Sequence, residues 1–305
     1  MTVLDQAENL RLMVRSIHKK MEDELFHSLP KRCRVIAITS GKGGVGKTNI
    51  ALGLALTLAK ASYRVMLMDG DMGLANVDLI LGMYGKYNLS HVIKGEKELN
   101  DIIIDGPHGL KIIPGGSGIY ELANADSQTL LRILKDVNIL DQEMDFFFID
   151  TGAGVSNQVM TFLLSAQEIL LVTTPEPTAI TDAYSLIKLY HQHHGGGQLK
   201  IIVNMIGDKQ EGYLAAKRLQ NAVRSFLHIE LAILGYVAQD VAVPNAVSNH
   251  KSYIMASPYT QASIDTIKLA SELGDLPLEP PAGVKNFFSY VVSNLKSTES
   301  RGYKK

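Results

Sequence analysis

The chain has 305 residues, 46% of them hydrophobic, with 30 Lys and Arg against 31 Asp and Glu for a net charge of −1. That is enough for one large buried α/β core with appendages, and the near-neutral balance, with no dense basic tract beyond Lys31-Arg32 and Lys304-Lys305, argues against nucleic acid as a partner. Cys33 is the only cysteine, which excludes an internal disulfide and leaves no thiolate pair for an iron–sulfur cluster or a structural zinc.

No apolar run reaches the ~20 residues that cross a bilayer, and the polar N-terminus lacks a signal-peptide pattern, so a cytoplasmic protein is expected. Before any strand signal, Leu10, Val14, Ile17, Met21 and Leu25 recur at helix-compatible spacing and predict an added helix. On pattern alone, that helix packs on its own body.

The first core unit is a buried strand at Val35 to Ile38 and a helix from Ile50 to Ala59, joined by Gly41-Lys42-Gly43-Gly44-Val45-Gly46-Lys47-Thr48. This is a phosphate-binding loop in the strand–loop–helix context it requires. Its glycines let the backbone N–H groups across Gly43, Gly44, Val45, Gly46, Lys47, Thr48 and Asn49 converge with the helix N-terminus on phosphates. Lys47 would neutralise the outer phosphates, and the Thr48 hydroxyl is placed for Mg²⁺. Lys42 departs from the ordinary loop. From the loop's mouth it can reach towards a nucleotide held by a facing subunit; the alternative is a glycine-rich turn with a solvated lysine.

Two more apolar strands end in carboxylates: Val65 to Met68 in Asp69-Gly70-Asp71, and Phe146 to Ile149 in Asp150-Thr151-Gly152. Ligands of an open parallel sheet sit beyond the carboxyl ends of its strands, so all three aspartates are expected to face the phosphates. Asp150 would hold Mg²⁺ through a water, Asp71 would orient the attacking water, and Asp69 would support the metal shell and the loop. Taken singly, each also reads as a strand-end turn aspartate.

Downstream, strands at 168–173, 199–204 and 231–237 alternate with helices at 179–190 and 212–227. Such alternation predicts an α/β fold with a doubly wound, mostly parallel sheet and helices on both faces. Asn204 ends a strand, and its amide can donate and accept together, which suits the N6 and N7 edge of adenine; a turn asparagine is the alternative. Asp240 is a second base-side candidate. His191, His193 and His194 precede Gly195-Gly196-Gly197, read here as a helix end at which histidine complements the dipole and a glycine takes the left-handed turn, rather than as a metal site.

Residues 276–283 form a stiff, proline-rich linker. Beyond it Val284, Phe287, Phe288, Val291, Val292 and Leu295 share one helical face, opposite Lys285, Asn286, Ser289, Ser293 and Lys296. Such a helix is too short to span a bilayer and suits the headgroup boundary of an anionic membrane, although a helix docked on the body would show the same pattern.

Lys42 through Thr48, with Asp69, Asp71 and Asp150, resemble the deviant Walker A ATPases, the SIMIBI group that includes MinD, ParA and the nitrogenase iron protein. More narrowly, Asp71-Met72-Gly73-Leu74-Ala75-Asn76-Val77-Asp78-Leu79-Ile80-Leu81-Gly82 and Ile113-Pro114-Gly115-Gly116-Ser117-Gly118 resemble the FlhG (FleN/YlxH) family of MinD-type ATPases, and Asn49 stands where MinD usually repeats threonine. The resemblance covers nearly the whole chain. It implies a slow ATPase using ATP and Mg²⁺, cycling between a cytosolic monomer and an ATP-bound homodimer on the inner face of the cell membrane, that controls flagellar number and placement. Asn204 stands like the family asparagine whose amide reads adenine. The heptapeptide opening with Asp5, Gln6 and Ala7 and closing with Leu10 and Arg11 resembles the segment that engages an FlhF-type GTPase, and flagellar switch (C-ring) proteins are implied as further partners.

On this resemblance the chain divides into a partner-activating helix (1–30), a MinD-like ATPase domain (31–275), the linker (276–283) and a membrane-targeting helix with its tail (284–305). The rivals are a MinD-like division-site regulator, a ParA-like DNA-riding ATPase and a kinase-like or ligase-like enzyme. The N-terminal helix argues against the first, since MinD begins almost at its first strand. The second would want a basic dimer surface, and the third a second substrate pocket.

Overall fold

The computed structural model describes residues 33–274 apart from 72–75, 84, 117, 119–120 and 122–126. The expected N-terminal helix with Asp5, Gln6, Ala7, Leu10 and Arg11, the linker, and the C-terminal helix with its apolar face therefore lie outside the described residues.

β1 (Arg34–Ser40) and β2 (Val65–Gly70) are buried at every position. Continuous burial, rather than alternation, marks parallel strands covered on both faces. The helix between them, α1 (Lys47–Lys60), is buried nearly all round, as a helix through the middle of a core must be. Short elements follow: α2 (Asn76–Leu81), α3 (Leu89–Ile93), α4 (Leu99–Ile102), β3 (Ile104–Asp105) and β4 (Lys111–Ile113). The chain then runs through α5 (Ser127–Glu143), β5 (Phe146–Ala153), α6 (Asn157–Ser165), β6 (Glu168–Thr173), α7 (Pro177–Gln192) and β7 (Gln198–Ile206). It closes with α8 (Lys209–Leu227), β8 (Ala232–Ala238), α9 (Ala242–Ser248), α10 (Tyr253–Ala256) and α11 (Gln261–Gly274).

The strands form one sheet in the order β3-β4-β2-β5-β1-β6-β7-β8. Every neighbouring pair is parallel except β3 with β4. The chain winds outward from β1 in one direction to β3 and, after β5, in the other to β8, so the change of direction falls at the sheet's centre. That crevice is where a doubly wound sheet binds ligands. In register, Asp150 stands between Ile38 and Asp69, which brings the ends of three adjacent strands to one place.

The helix expected from residue 212 starts at Lys209 because the Asp208 side chain accepts the Glu211 N–H and caps it. At the end of α7 one expectation is corrected. The left-handed residue is His194, with φ of 56°, and none of the three glycines after it has positive φ. Gly195 is needed for contact instead, because a Cβ there would sit 2.1 Å from the Tyr190 ring. Among the described residues no group of His, Cys, Asp and Glu is suited to hold a metal by itself, and no helix is long and apolar enough to cross a membrane.

Candidate active site

At the N-terminus of α1 the cap is Gly46, with φ of 85°, and no side chain caps the helix. Its first N–H groups, together with the positive end of the helix dipole, are thus left for an anion. A Cβ on Gly43 or Gly44 would meet nothing within 4 Å, so the outer curve of the loop opens to the cavity. The inner curve is held tightly. A Cβ on Gly41 would lie 2.3 Å from the backbone carbonyl carbon of Asp182 in α7, and one on Gly46 would lie 2.4 Å from Asn204 Nδ2.

The loop borders a cavity of about 680 Å³, within the range of small-molecule sites. Gly43 to Asn49, Asp71, Met205 and Ala238 to Asp240 line it, with Leu79, Ile80, Val243 and Val247 among its apolar lining.

Asp150 is fully buried, and its Oδ1 accepts a hydrogen bond from Lys47 Nζ at 3.0 Å. Burial pushes its carboxyl above the usual range, while Lys47 and Thr48 beside it pull the other way and Asp71 adds to the upward push. Its Oδ2 is buried without a hydrogen-bond partner. An orphaned carboxylate oxygen next to Thr48 fits a Mg²⁺ ion, which Asp150 and Thr48 would hold.

Asp71 lines the cavity, and its proximity is felt by Asp150. Asp69 stands behind it: Oδ1 accepts the Asp71 N–H at 3.0 Å and Oδ2 the Val77 N–H at 3.2 Å. Of the two tasks expected of Asp69, these bonds perform the support of the loop, and the cavity lining includes Asp71 but not Asp69. Gly115 explains part of the Pro-Gly-Gly segment, since a Cβ there would lie 3.1 Å from Asp69 Cγ.

Lys42 reaches neither the loop's own floor nor Asp150. Its Nζ donates to Glu176 Oε2 at 2.7 Å and Thr178 Oγ1 at 3.0 Å, at the start of α7, and holds the Glu176 carboxyl below its usual range. Asn204 Nδ2 donates to the Val45 carbonyl at 2.9 Å, so this amide braces the loop as well as lining the cavity. Asp240 also lines it, but its two oxygens accept the N–H groups of Ala242 and Ala262. Asn49 lines it too, with Oδ1 buried and unpartnered.

Sequence reasoning passed over Glu176, Thr178 and Met205. The first two follow β6 as a polar cluster around a proline, a signal that was available. Met205 carries none: its φ of 56° and its place in the cavity follow from a register break between β7 and β8.

The ParA family profile, described as NUBPL iron-transfer P-loop NTPase, matches residues 31–274. The chain is 37% identical over 269 residues to the antiactivator FleN of Pseudomonas aeruginosa, covering 88% of this chain and 95% of FleN. It is also 37% identical over 269 residues to the flagellum site-determining protein YlxH of Helicobacter pylori, covering 86% and 90%. Among solved structures it is similar to the septum site-determining protein MinD of Pyrococcus horikoshii complexed with Mg-ADP, with 26% identity, a TM-score of 0.64, and 83% of this chain and 98% of that one covered.

Proposed function

The chain belongs to the ParA/MinD family of P-loop ATPases, with FleN and YlxH as relatives over most of its length, and from that premise we propose that it is a nucleotide switch setting flagellar number and placement. It is an ATPase that uses Mg²⁺. The description of the family profile names iron transfer, but one buried cysteine offers no thiolate pair for a cluster.

The observation that carries the mechanism is the convergence of Lys47, Asp71 and Asp150 before the uncapped end of α1. Lys47 passes from Asp150 to the outer phosphates when nucleotide enters. Thr48 and the freed Asp150 would hold Mg²⁺, which neutralises phosphate charge when bound. Asp71, fixed from behind by Asp69, accepts a hydrogen bond from the attacking water and aligns it. Lys42 leaves Glu176 and serves the nucleotide of a second subunit, so ATP brings two copies together. The output is a change of assembly.

The similarity to FleN and YlxH supports the flagellar setting. Within it, residues 5–11 would engage an FlhF-type GTPase, flagellar switch proteins would read the ATP-bound dimer, and the apolar face of residues 284–295 would hold that dimer reversibly on the inner face of the cell membrane. Co-purification tests the whole reading. The Asp71→Ala protein, locked with ATP, should retain an FlhF-type GTPase and switch components that are lost in ADP. Recovery of neither in either nucleotide would overturn the flagellar assignment.

A further inference from the structure

One contact at the cavity's apolar side is unused by the mechanism above. His250, in the turn between α9 and α10, adopts left-handed backbone with φ of 52°. A residue with a Cβ is disfavoured there, whereas glycine would take the conformation freely. The imidazole makes a compensating bond: Nδ1 lies 2.8 Å from the carbonyl oxygen of Leu79, in the last turn of α2. A carbonyl only accepts, so Nδ1 carries the proton and donates. Gly82 lies directly against this residue, since a Cβ there would be 3.3 Å from His250 Cβ.

The bond joins two walls of the nucleotide cavity. Leu79 and Ile80 line it from α2, and Val243 and Val247 from the segment that leads to His250. The other end of α2 is tied to the phosphate side, because Asp69 Oδ2 accepts the Val77 N–H while Oδ1 accepts that of Asp71. A helix of six residues is too short to hold itself in place, so burial of Val77 and Ile80 in the core and the tethers at its two ends together set where it lies.

We infer that His250 is a positioning residue for hydrolysis, fixing the C-terminal end of α2 so that Asp69, bonded to Val77 near its other end, holds Asp71 in line with the attacking water. This rests on the reading of Asp71 as the water-orienting carboxylate.

Single-turnover ATP hydrolysis, ADP affinity and thermal midpoint should be measured on the full chain, on His250→Gly, His250→Asn and, as control, Asp71→Ala. Glycine removes the donor and relieves the backbone, so a purely structural histidine predicts no loss. Asparagine is the side chain best tolerated in left-handed backbone, and its amide N–H occupies the position of Nδ1. We expect His250→Gly to hydrolyse at least tenfold slower, with ADP affinity within twofold and an unchanged or higher midpoint, and His250→Asn to recover most of the rate. The role of His250 is overturned if the glycine variant hydrolyses at the wild-type rate, if asparagine is no better than glycine, or if ADP affinity or the midpoint falls in step with the rate. Asp71→Ala hydrolysing at full rate removes the Asp71 reading and this one with it, whereas an inert Asp71→Ala beside a fully active His250→Gly overturns His250 alone.

Discussion

Lys47 and Asp150 lie 3.0 Å apart with both side chains nearly out of water. Such a pair offsets two desolvation costs only while both members are present. Lys47→Met therefore does more than remove a phosphate ligand, because Asp150 is left buried without its cation. Burial already raises that carboxyl, so in the variant it keeps a proton that the unfolded chain releases. The folded state then binds more protons than the unfolded state, and stability falls as pH rises above the ordinary carboxylate range. Urea unfolding should show a loss of about 3 kcal/mol near neutral pH, smaller at pH 5, with most of it recovered when Asp150→Asn is added. Nucleotide binding should stay lost in both variants. Strictly additive losses would mean that the pair is not coupled. Lys42 poses the opposite case, an exposed lysine whose bond to Glu176 is worth little to stability. It depresses the Glu176 carboxyl, so the bond persists through the ordinary glutamate range and is lost only as pH falls through that lowered value. In Lys42→Ala the Glu176 titration, followed by NMR, should move up to the ordinary range. ATP-induced dimers should disappear in size-exclusion runs, and a stable, active mutant dimer would show that the lysine does not act across subunits.

Among the elements, the phosphate loop depends on its seat against α7. A Cβ on Gly41 would meet the Asp182 backbone at 2.3 Å, and backbone cannot give way as a flexible side chain can. Gly41→Ala should lower the thermal midpoint by several degrees and weaken ATP binding at least tenfold, whereas Gly43→Ala, with open space around it, should leave the unliganded midpoint unchanged. Equal midpoints for the two would show that the seat is soft. The loop and its flanks were legible in the sequence because fully buried strands are continuous apolar runs and the glycine spacing has one chemical use. The stretch from α2 to α5 was not. β3 is two residues long and pairs antiparallel only because β4 lies beside it, and α2 to α4 are too short for a period to emerge. Asp69 and Asp71 look equivalent in the sequence, and only the bonds that Asp69 accepts from the backbone N–H groups of Asp71 and Val77 assign one to bracing and leave the other in the cavity. The left-handed turn after α7 falls on His194, and the glycine beside it answers instead to the close approach of Tyr190.

On the scale of the molecule, the nucleotide end of the sheet and the exit of the C-terminal tail lie apart. Arg34, at the start of the central strand β1, is buried with Glu168 and donates through Nη1 to the Leu273 carbonyl at 2.6 Å, which pins the end of α11 to the end of the strands opposite the phosphate loop. ATP at one end thus has no direct contact with the end of α11, and on the proposed reading coupling to a membrane would run through the dimer. Magnitudes favour the same route. The six apolar residues from Val284 to Leu295 contribute roughly 1.5–3 kcal/mol each if wholly removed from water, and less at a wet interface. Ordering and immobilisation consume much of that, so one copy of the proposed helix should bind marginally, while two on the proposed dimer would gain from effective concentration. Pelleting with anionic liposomes should therefore be strong in ATP and weak in ADP or without nucleotide. Phe288→Glu sets a charge in the apolar face and should abolish pelleting while leaving hydrolysis in solution unchanged. Equal pelleting in all three nucleotide conditions would separate recruitment from dimerisation, and undiminished pelleting by Phe288→Glu would show that another surface meets the lipid.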